Sequence, residues 1–245
     1  MLKGKAAIIT GASRGIGRAI ANNFAENNAI VGINYNTSDQ KAEEILKQIK
    51  QKGGKATLLK GDVSIPKDVE TIVKTFVSET KKIDILVNNA GIYTRNNFEK
   101  ISYDTWNKVI STNLTGCFNL CKQAIPYMKT GSKIIFISSQ LAFRGSSHGA
   151  DYASSKAGML GLMRSLALEL ASKKINVNAV APGTIDTDII SNYSEEIRKQ
   201  RIKEIPLNRL GTPDDISNTC LFLASNLSDY ITGETINVNG GLYIH

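Results

Sequence analysis

The chain has 245 residues, enough for one doubly wound domain or two smaller ones, and its 42% hydrophobic and 21% charged content excludes disordered, collagen-like and fibrous classes. A formal net charge of +8 suits nucleic acid, an anionic membrane or an acidic protein partner alike, so charge by itself does not choose among them. Met1 to Lys5 leads into an apolar run too short for a signal peptide or membrane helix, which makes a cytoplasmic protein with no membrane association the expectation.

Short apolar runs then alternate with amphipathic segments. Ala6-Ala7-Ile8-Ile9 is strand-like, a glycine-rich turn follows, and Ile16, Ala19, Ile20 and Phe24 carry helical spacing. Ala29 to Ile33 predicts a second strand, and Gln40 to Gln51 a helix that Gly53-Gly54 terminates. The lysines of that stretch, with glutamates among them, describe a solvated helix face, and no aromatic-plus-basic nucleic-acid motif accompanies them. Further strands are expected at Ala56–Leu59, Ile83–Val87, Lys133–Ile137, Ile175–Val180 and Thr235–Val238. The alternation predicts an α/β fold: a single doubly wound Rossmann domain over residues 1–245, with a seven-stranded, mainly parallel sheet and helices on both faces. Residues 185–208 break the rhythm after the sixth strand, where a doubly wound sheet binds its ligands; this segment is either a substrate lid or a surface excursion.

After the first strand stands Thr10-Gly11-Ala12-Ser13-Arg14-Gly15-Ile16-Gly17. Glycines there permit a tight turn and close phosphate approach, and the following helix start adds positive partial charge. The spacing is G-x-x-x-G-x-G, not G-x-G-x-x-G, so the loop taken alone also fits a purely structural turn. The second strand ends Asn34-Tyr35-Asn36, without the acidic residue that would bond ribose hydroxyls and repel a 2′-phosphate, and Arg14 could pair with that phosphate. This favours NADP(H); Asp39 is the counter-evidence, for which an amino-terminal helix cap is the more economical explanation.

Tyr152 and Lys156 lie four residues apart in a helical pattern and so project from one face, where a cation could depress the phenol pKa. Chance alone supplies on the order of one such pair in a chain of this composition, so context matters. Ser139 ends an apolar strand and places a hydroxyl at its carboxyl end. The cysteines Cys117, Cys121 and Cys220 form no CxxC pair and lack clustered histidines, so neither a metal site nor a disulfide framework is expected. Buried thiols are one reading; a redox role for Cys117 and Cys121, one helical turn apart, is the other.

Together these residues resemble the short-chain dehydrogenase/reductase family over essentially the whole chain. Thr10 to Gly17 is similar to its glycine loop, Asp62-Val63 to its adenine-contacting pair, and Asn88-Asn89-Ala90-Gly91 to its motif after the fourth strand. The resemblance implies a catalytic tetrad of Asn113, Ser139, Tyr152 and Lys156. It also implies that Pro182-Gly183-Thr184-Ile185-Asp186-Thr187 holds the nicotinamide carboxamide through Ile185 and the phosphates through Thr187. Ser139 would steady the carbonyl, Tyr152 donate its proton, Lys156 hold the nicotinamide ribose and depress the tyrosine pKa, and Asn113 position a water.

Within the family, Tyr-Ala-Ser-Ser-Lys-Ala-Gly and the closing Ile231 to Gly241 segment resemble bacterial 3-oxoacyl-acyl-carrier-protein reductases. That implies NADPH-dependent reduction of 3-oxoacyl thioesters, an acidic carrier protein as partner, and Lys129, Lys133, Lys173 and Lys174 as contacts near the rim of the site. The reductases carry Gly-Gln-x-Asn before the tyrosine, whereas His148-Gly149-Ala150-Asp151 stands here. A dehydrogenase of a sugar, polyol or small secondary alcohol is therefore the alternative, and a dinucleotide-binding regulator without catalysis is the alternative of another class. His148 is either a substrate contact or an ordinary loop histidine. Relatives form tetramers through the helices near Asn113 to Met128 and Tyr152 to Ala171 and through the carboxyl-terminal segment, so the resemblance implies a homotetramer. Ala153, Ala157 and Gly161 fit such packing, or equally a face turned to the sheet.

Overall fold

The computed structural model describes residues 1–190 and 193–244. Seven strands form one parallel sheet: β1 (Ala6–Ile9), β2 (Ile30–Tyr35), β3 (Lys55–Lys60), β4 (Ile85–Asn88), β5 (Lys133–Ile137), β6 (Asn176–Pro182) and β7 (Thr235–Val238), in the order β3-β2-β1-β4-β5-β6-β7. Every neighbouring pair is parallel, with Ile8 beside Gly32 and Leu86 in the centre. The sheet is thus wholly parallel, and its strands read as continuous apolar runs because both faces are covered. Predicted and observed strands agree to within two residues at either end. β6 runs on to Pro182, where the missing N–H costs least at the strand's end.

Side-chain alternation along each strand divides the core in two. Ala6 and Ile8 face a layer built from α3 (Pro66–Thr80), α5 (Gly116–Ala124) and α7 (Ala150–Leu170), around Phe76, Leu120 and Met163. Ala7 and Ile9 face α1 (Gly15–Glu26), α2 (Asp39–Gln51) and α9 (Pro213–Ala224), around Phe24, Ile45 and Leu223. Strand order reverses at β1, whose neighbours β2 and β4 are reached by crossovers on opposite faces. A crevice therefore opens beyond the carboxyl ends of β1 and β4. Three further helices, α4 (Tyr103–Ile110), α6 (Leu141–Arg144) and α8 (Glu195–Glu204), lie outside this plan. A π-helical turn, Ser111–Thr115, joins α4 to α5 and contains Asn113. Ser191 and Asn192, within the segment expected to form a lid, lie outside the described residues.

Two local expectations change. Asp39 is not the cap of α2: Ser38 holds that position, and Asp39 opens the helix with its carboxylate on Lys60 Nζ at 2.8 Å. Lys129, Lys133, Lys173 and Lys174 do not stand at the rim of this chain's cavity. They cluster where β5 and β6 begin, the edge of the sheet opposite Ser139, and Lys133 is buried with its ammonium on Asp229 at 2.6 Å. Ala157 and Gly161 are exposed on α7, so they turn away from the sheet.

Candidate active site

The crevice is a cavity of about 1110 Å³ lined by Ser139, Tyr152 and Lys156 and, from the motifs named above, by Gly11, Ser13 to Gly17, Asn34, Tyr35, Asp62, Val63, Asn89 to Gly91, Pro182 to Ile185 and Thr187; Asn113 lies outside its lining. At one end the backbone after β1 is drawn tight against the fourth strand. Thr10 Oγ1 accepts from the N–H groups of Asn89 and Ala90, both at 2.9 Å, while Asn89 Nδ2 donates to Thr10 O at 2.8 Å. Gly11 and Gly15 take positive φ, and a Cβ on Gly17 would sit 2.4 Å from Gly11 O and 2.5 Å from Asn89 Nδ2. No other residue type fits there. Asn34 is wholly occupied in holding this loop: Oδ1 accepts from Gly11 N and Nδ2 donates to Leu59 O and Gly61 O. Its neighbours Tyr35, Asp62 and Val63 line the same end. A glycine cradle at a helix start, closed to side chains, fits the pyrophosphate of a dinucleotide.

Arg14 precedes α1, and with Lys41 it faces Asp188: Nη1 and Nζ lie 3.9 and 3.2 Å from Asp188 Oδ2. Thr187 packs over Gly15, and Ile185 is buried beside Gly211. Residues 185–190 thus span the cradle from the β6 side.

At the other end, Ser139 leaves β5 and its Oγ accepts from Leu141 N at 3.1 Å. Tyr152 and Lys156 come from the first turns of α7. Lys156 Nζ donates to Ile137 O at 2.7 Å and lies 5.5 Å from the Tyr152 ring centroid. The phenol pKa is not depressed. Enclosure by protein pushes it up to about 12, against the pull of the Ser139 hydroxyl, and burial brings Lys156 down to about 8. Desolvation outweighs the mutual influence expected from their spacing because the ammonium turns to a carbonyl on the sheet. Asn113 is fully buried behind them: Oδ1 accepts from Ile92 N at 2.8 Å, and Nδ2 donates to Ile92 O and Ser155 Oγ, each at 3.0 Å. Its carboxamide buttresses the β4 loop and α7.

The departure before the tyrosine has a steric explanation. The Tyr93 ring packs against that of Tyr152, centroids 4.4 Å apart and planes tilted by 30°, and a Cβ on Gly149 would lie 2.5 Å from Tyr93 Cε2. Tyr93 fills the space a glutamine at 149 would need. Asp151 is buried and accepts from Thr94 Oγ1 at 2.9 Å and from Tyr152 N. The contact of Tyr93 with Tyr152 was not legible in the sequence, since no periodicity brings a loop after β4 onto α7. The thiols of Cys117, Cys121 and Cys220 are all buried, and desolvation raises each of them, Cys117 to about 12. This leaves no ready thiolate.

A family model described as enoyl-(acyl carrier protein) reductase matches residues 11–243. The 3-oxoacyl-[acyl-carrier-protein] reductase of Staphylococcus aureus is 44% identical over 242 residues, covering 98% of each chain. The chain belongs to the short-chain dehydrogenase/reductase family. Among solved members, a short-chain dehydrogenase/reductase of Brucella melitensis described as glucose/ribitol dehydrogenase superposes with a TM-score of 0.95, at 35% identity over 100% of this chain and 98% of that one. A Burkholderia cenocepacia short-chain dehydrogenase in complex with NADP gives 0.94, at 30% identity over 98% of both chains. Both likenesses are full-length, so the cavity described here belongs to the fold that the short-chain dehydrogenases/reductases share. Among the described residues no helix is long and apolar enough to cross a membrane.

Proposed function

We propose that this chain reduces 3-oxoacyl thioesters, carried on acyl carrier protein, to 3-hydroxyacyl thioesters with NADPH. The observation that carries the reading is the convergence of Ser139, Tyr152 and Lys156 at one end of a cavity whose other end is a glycine cradle. The 44% identity to a 3-oxoacyl-[acyl-carrier-protein] reductase supports the substrate class. Gly11, Ser13, Gly15, Ile16, Gly17 and Thr187 would hold the pyrophosphate, Asp62 and Val63 the adenine, Asn89, Ala90, Gly91, Pro182, Gly183 and Ile185 the nicotinamide half. Arg14 and Lys41 favour a 2′-phosphate, since Asp39 is neutralised by Lys60. NADPH supplies the hydride when bound.

The rest is the work of the chain. Ser139, its hydroxyl oxygen oriented by Leu141 N–H, donates its proton in a hydrogen bond to the substrate carbonyl. Tyr152, with its pKa near 12, is protonated at neutral pH and gives that proton to the alkoxide as it forms. Lys156 uses one donor on Ile137 O and keeps two for the nicotinamide ribose hydroxyls, next to the phenol whose proton must be replaced. Asn113 fixes Ile92 and Ser155, and through them the distance between the β4 loop and α7. Residues 185–190 and 193–208, with Tyr193 and Arg201 lining the cavity, act as the lid. Association into tetramers would use the exposed Ala157 and Gly161 face of α7.

A sugar or polyol dehydrogenase is the second reading, favoured by the hydroxyls of Ser146 and Ser147 and the unpartnered Gln140 Oε1 at the substrate end. The test is loss of NADPH absorbance with an acetoacetyl thioester. Wild type should turn over; Tyr152→Phe should lose at least about a thousandfold in kcat while still binding NADPH. Activity only with polyols and NADP would refute the thioester class. Equal inactivity of wild type and variant despite NADPH binding would support a non-catalytic regulator.

A further inference from the structure

Resting on that assignment of the cavity, we propose that Arg95 and Arg201 beside His148, with Arg144 lining the same cavity, form an oxyanion subsite. It would take a carboxylate or phosphate that the substrate carries away from its reacting carbonyl. Arg144, His148 and Arg201 line the substrate end of the cavity, from three places in the chain: the end of α6, the loop before α7, and α8. Arg95 joins them from the loop after β4. Its Nη2 lies 3.1 Å from His148 Nε2, and its guanidinium sits 4.8 Å from the Tyr193 ring centroid. A guanidinium only donates, so Nε2 must be the accepting nitrogen and the proton sits on Nδ1, 3.0 Å from Ser147 Oγ. The histidine is therefore neutral, and burial with the charges of Arg95 and Arg201 keeps it so.

Among the described residues, one acid forms an ion pair with these arginines. Arg201 pairs with Glu204 at 2.7 Å, whereas among the described residues Arg95 and Arg144 have no carboxylate within ion-pair distance. Asp151, the nearest in sequence to His148, is buried and turned to Thr94. Arg95 moreover holds φ at +53°, a left-handed conformation that an arginine adopts only against resistance. Like charges assembled around a neutral imidazole repel one another, and an anion joining them removes that repulsion while meeting planar forks suited to carboxylate or phosphate oxygens.

The place of the subsite makes the anion part of the substrate. His148 O accepts from the Tyr93 hydroxyl at 3.3 Å, and the Tyr93 ring lies on that of Tyr152. The His148 backbone is thus joined to the reacting phenol through Tyr93, at the opposite end of the cavity from the glycine cradle. Tyr152, Arg144, His148 and Arg201 line the same cavity, so one molecule bound there can meet both the phenol and the subsite. Two sources share this chemistry: the phosphate on the pantetheine arm of a thioester, and the carboxylate of a free oxo acid.

The experiment compares kcat/KM within two pairs, acetoacetyl-4′-phosphopantetheine against acetoacetyl-pantetheine, and acetoacetate against methyl acetoacetate. Wild type should prefer the charged member of one pair at least about tenfold, and which pair responds identifies the source. In the double variant Arg95→Gln, Arg144→Gln the ratio should fall to near one. No preference in either pair, or a preference that survives in the variant, overturns the proposal. Reduction of acetoacetate with both thioesters inert would sink the thioester reading and leave the subsite standing. If all four compounds are inert, the assigned activity fails separately, and a binding measurement decides the subsite. With NADP+ bound, inorganic phosphate should raise the His148 imidazole titration midpoint by at least about half a pH unit in wild type and leave it unmoved in the double variant. The chain has only two histidines, so His148→Gln assigns the signal. An unmoved midpoint in wild type would then overturn the subsite.

Discussion

Lys156 offers a test of burial as the dominant influence at the active site. Bringing its ammonium from the ordinary 10.5 to about 8 corresponds to about 3 kcal/mol against the charged form in the folded state. Below pH 8 both folded and unfolded chains hold the proton, and the penalty is complete. Between about 8 and 10.5 the unfolded chain binds more protons than the folded one, so this residue's contribution to stability rises with pH. From pH 7 to pH 9.5 the rise should be about 2 kcal/mol. The three buried thiols work the other way: their folded pKa values are raised, so above about pH 8.5 they ionise first in the unfolded chain and lower stability. Tyr152 adds to that loss only nearer pH 10.

Wild type alone cannot separate these opposing effects, but a comparison with Lys156→Met can, because the thiols and the tyrosine are common to both. Methionine keeps the length of the side chain and removes the charge. Its lost hydrogen bond to Ile137 O shifts the whole curve without changing its slope. Urea unfolding of nucleotide-free protein, followed by circular dichroism at several pH values, gives both stabilities. Wild type should gain about 2 kcal/mol on the variant between pH 7 and 9.5. Parallel curves would show that the ammonium remains solvated, and the argument from burial would be wrong.

Three further outcomes are expected. Gly17→Ala drives a methyl into Gly11 O and Asn89 Nδ2 at 2.4 and 2.5 Å; it should weaken NADPH binding at least about tenfold and cost on the order of 1–3 kcal/mol in stability, measured by fluorescence titration and denaturant unfolding. Gly149→Gln should collide with Tyr93 and lower kcat more than it raises KM, with part of the loss restored by Tyr93→Ala; an unchanged kcat would dissociate the Tyr93 contact from the chemistry. Asp188→Asn frees Arg14 and Lys41 from their carboxylate and should tighten NADPH severalfold while leaving NADH within about twofold; equal gains for both would remove these cations from 2′-phosphate recognition.

The sequence alone determined the layered order of this chain, because that order is written in local signals. Alternating apolar runs and helical stretches, punctuated by Gly11, Gly15 and Gly53, specify parallel strands with crossover helices, and Tyr152, Lys156 and Ser139 carry their chemistry in residue type and spacing. The tertiary structure decided what depends on residues far apart in the chain. Tyr93 meets Tyr152 and forbids a side chain at 149 only because the loop after β4 folds across the start of α7. Lys133 looks like any surface lysine until β5 and Asp229 enclose it. Arg144 and Arg201 line one cavity, and Arg95 reaches it only through His148, because loop and helix ends converge beyond the carboxyl edge of the sheet. The pKa values of Tyr152 and Lys156 follow the same rule. Their spacing permits mutual influence, but the depth of burial, a property of the whole packed sheet and not of any window of sequence, sets its direction.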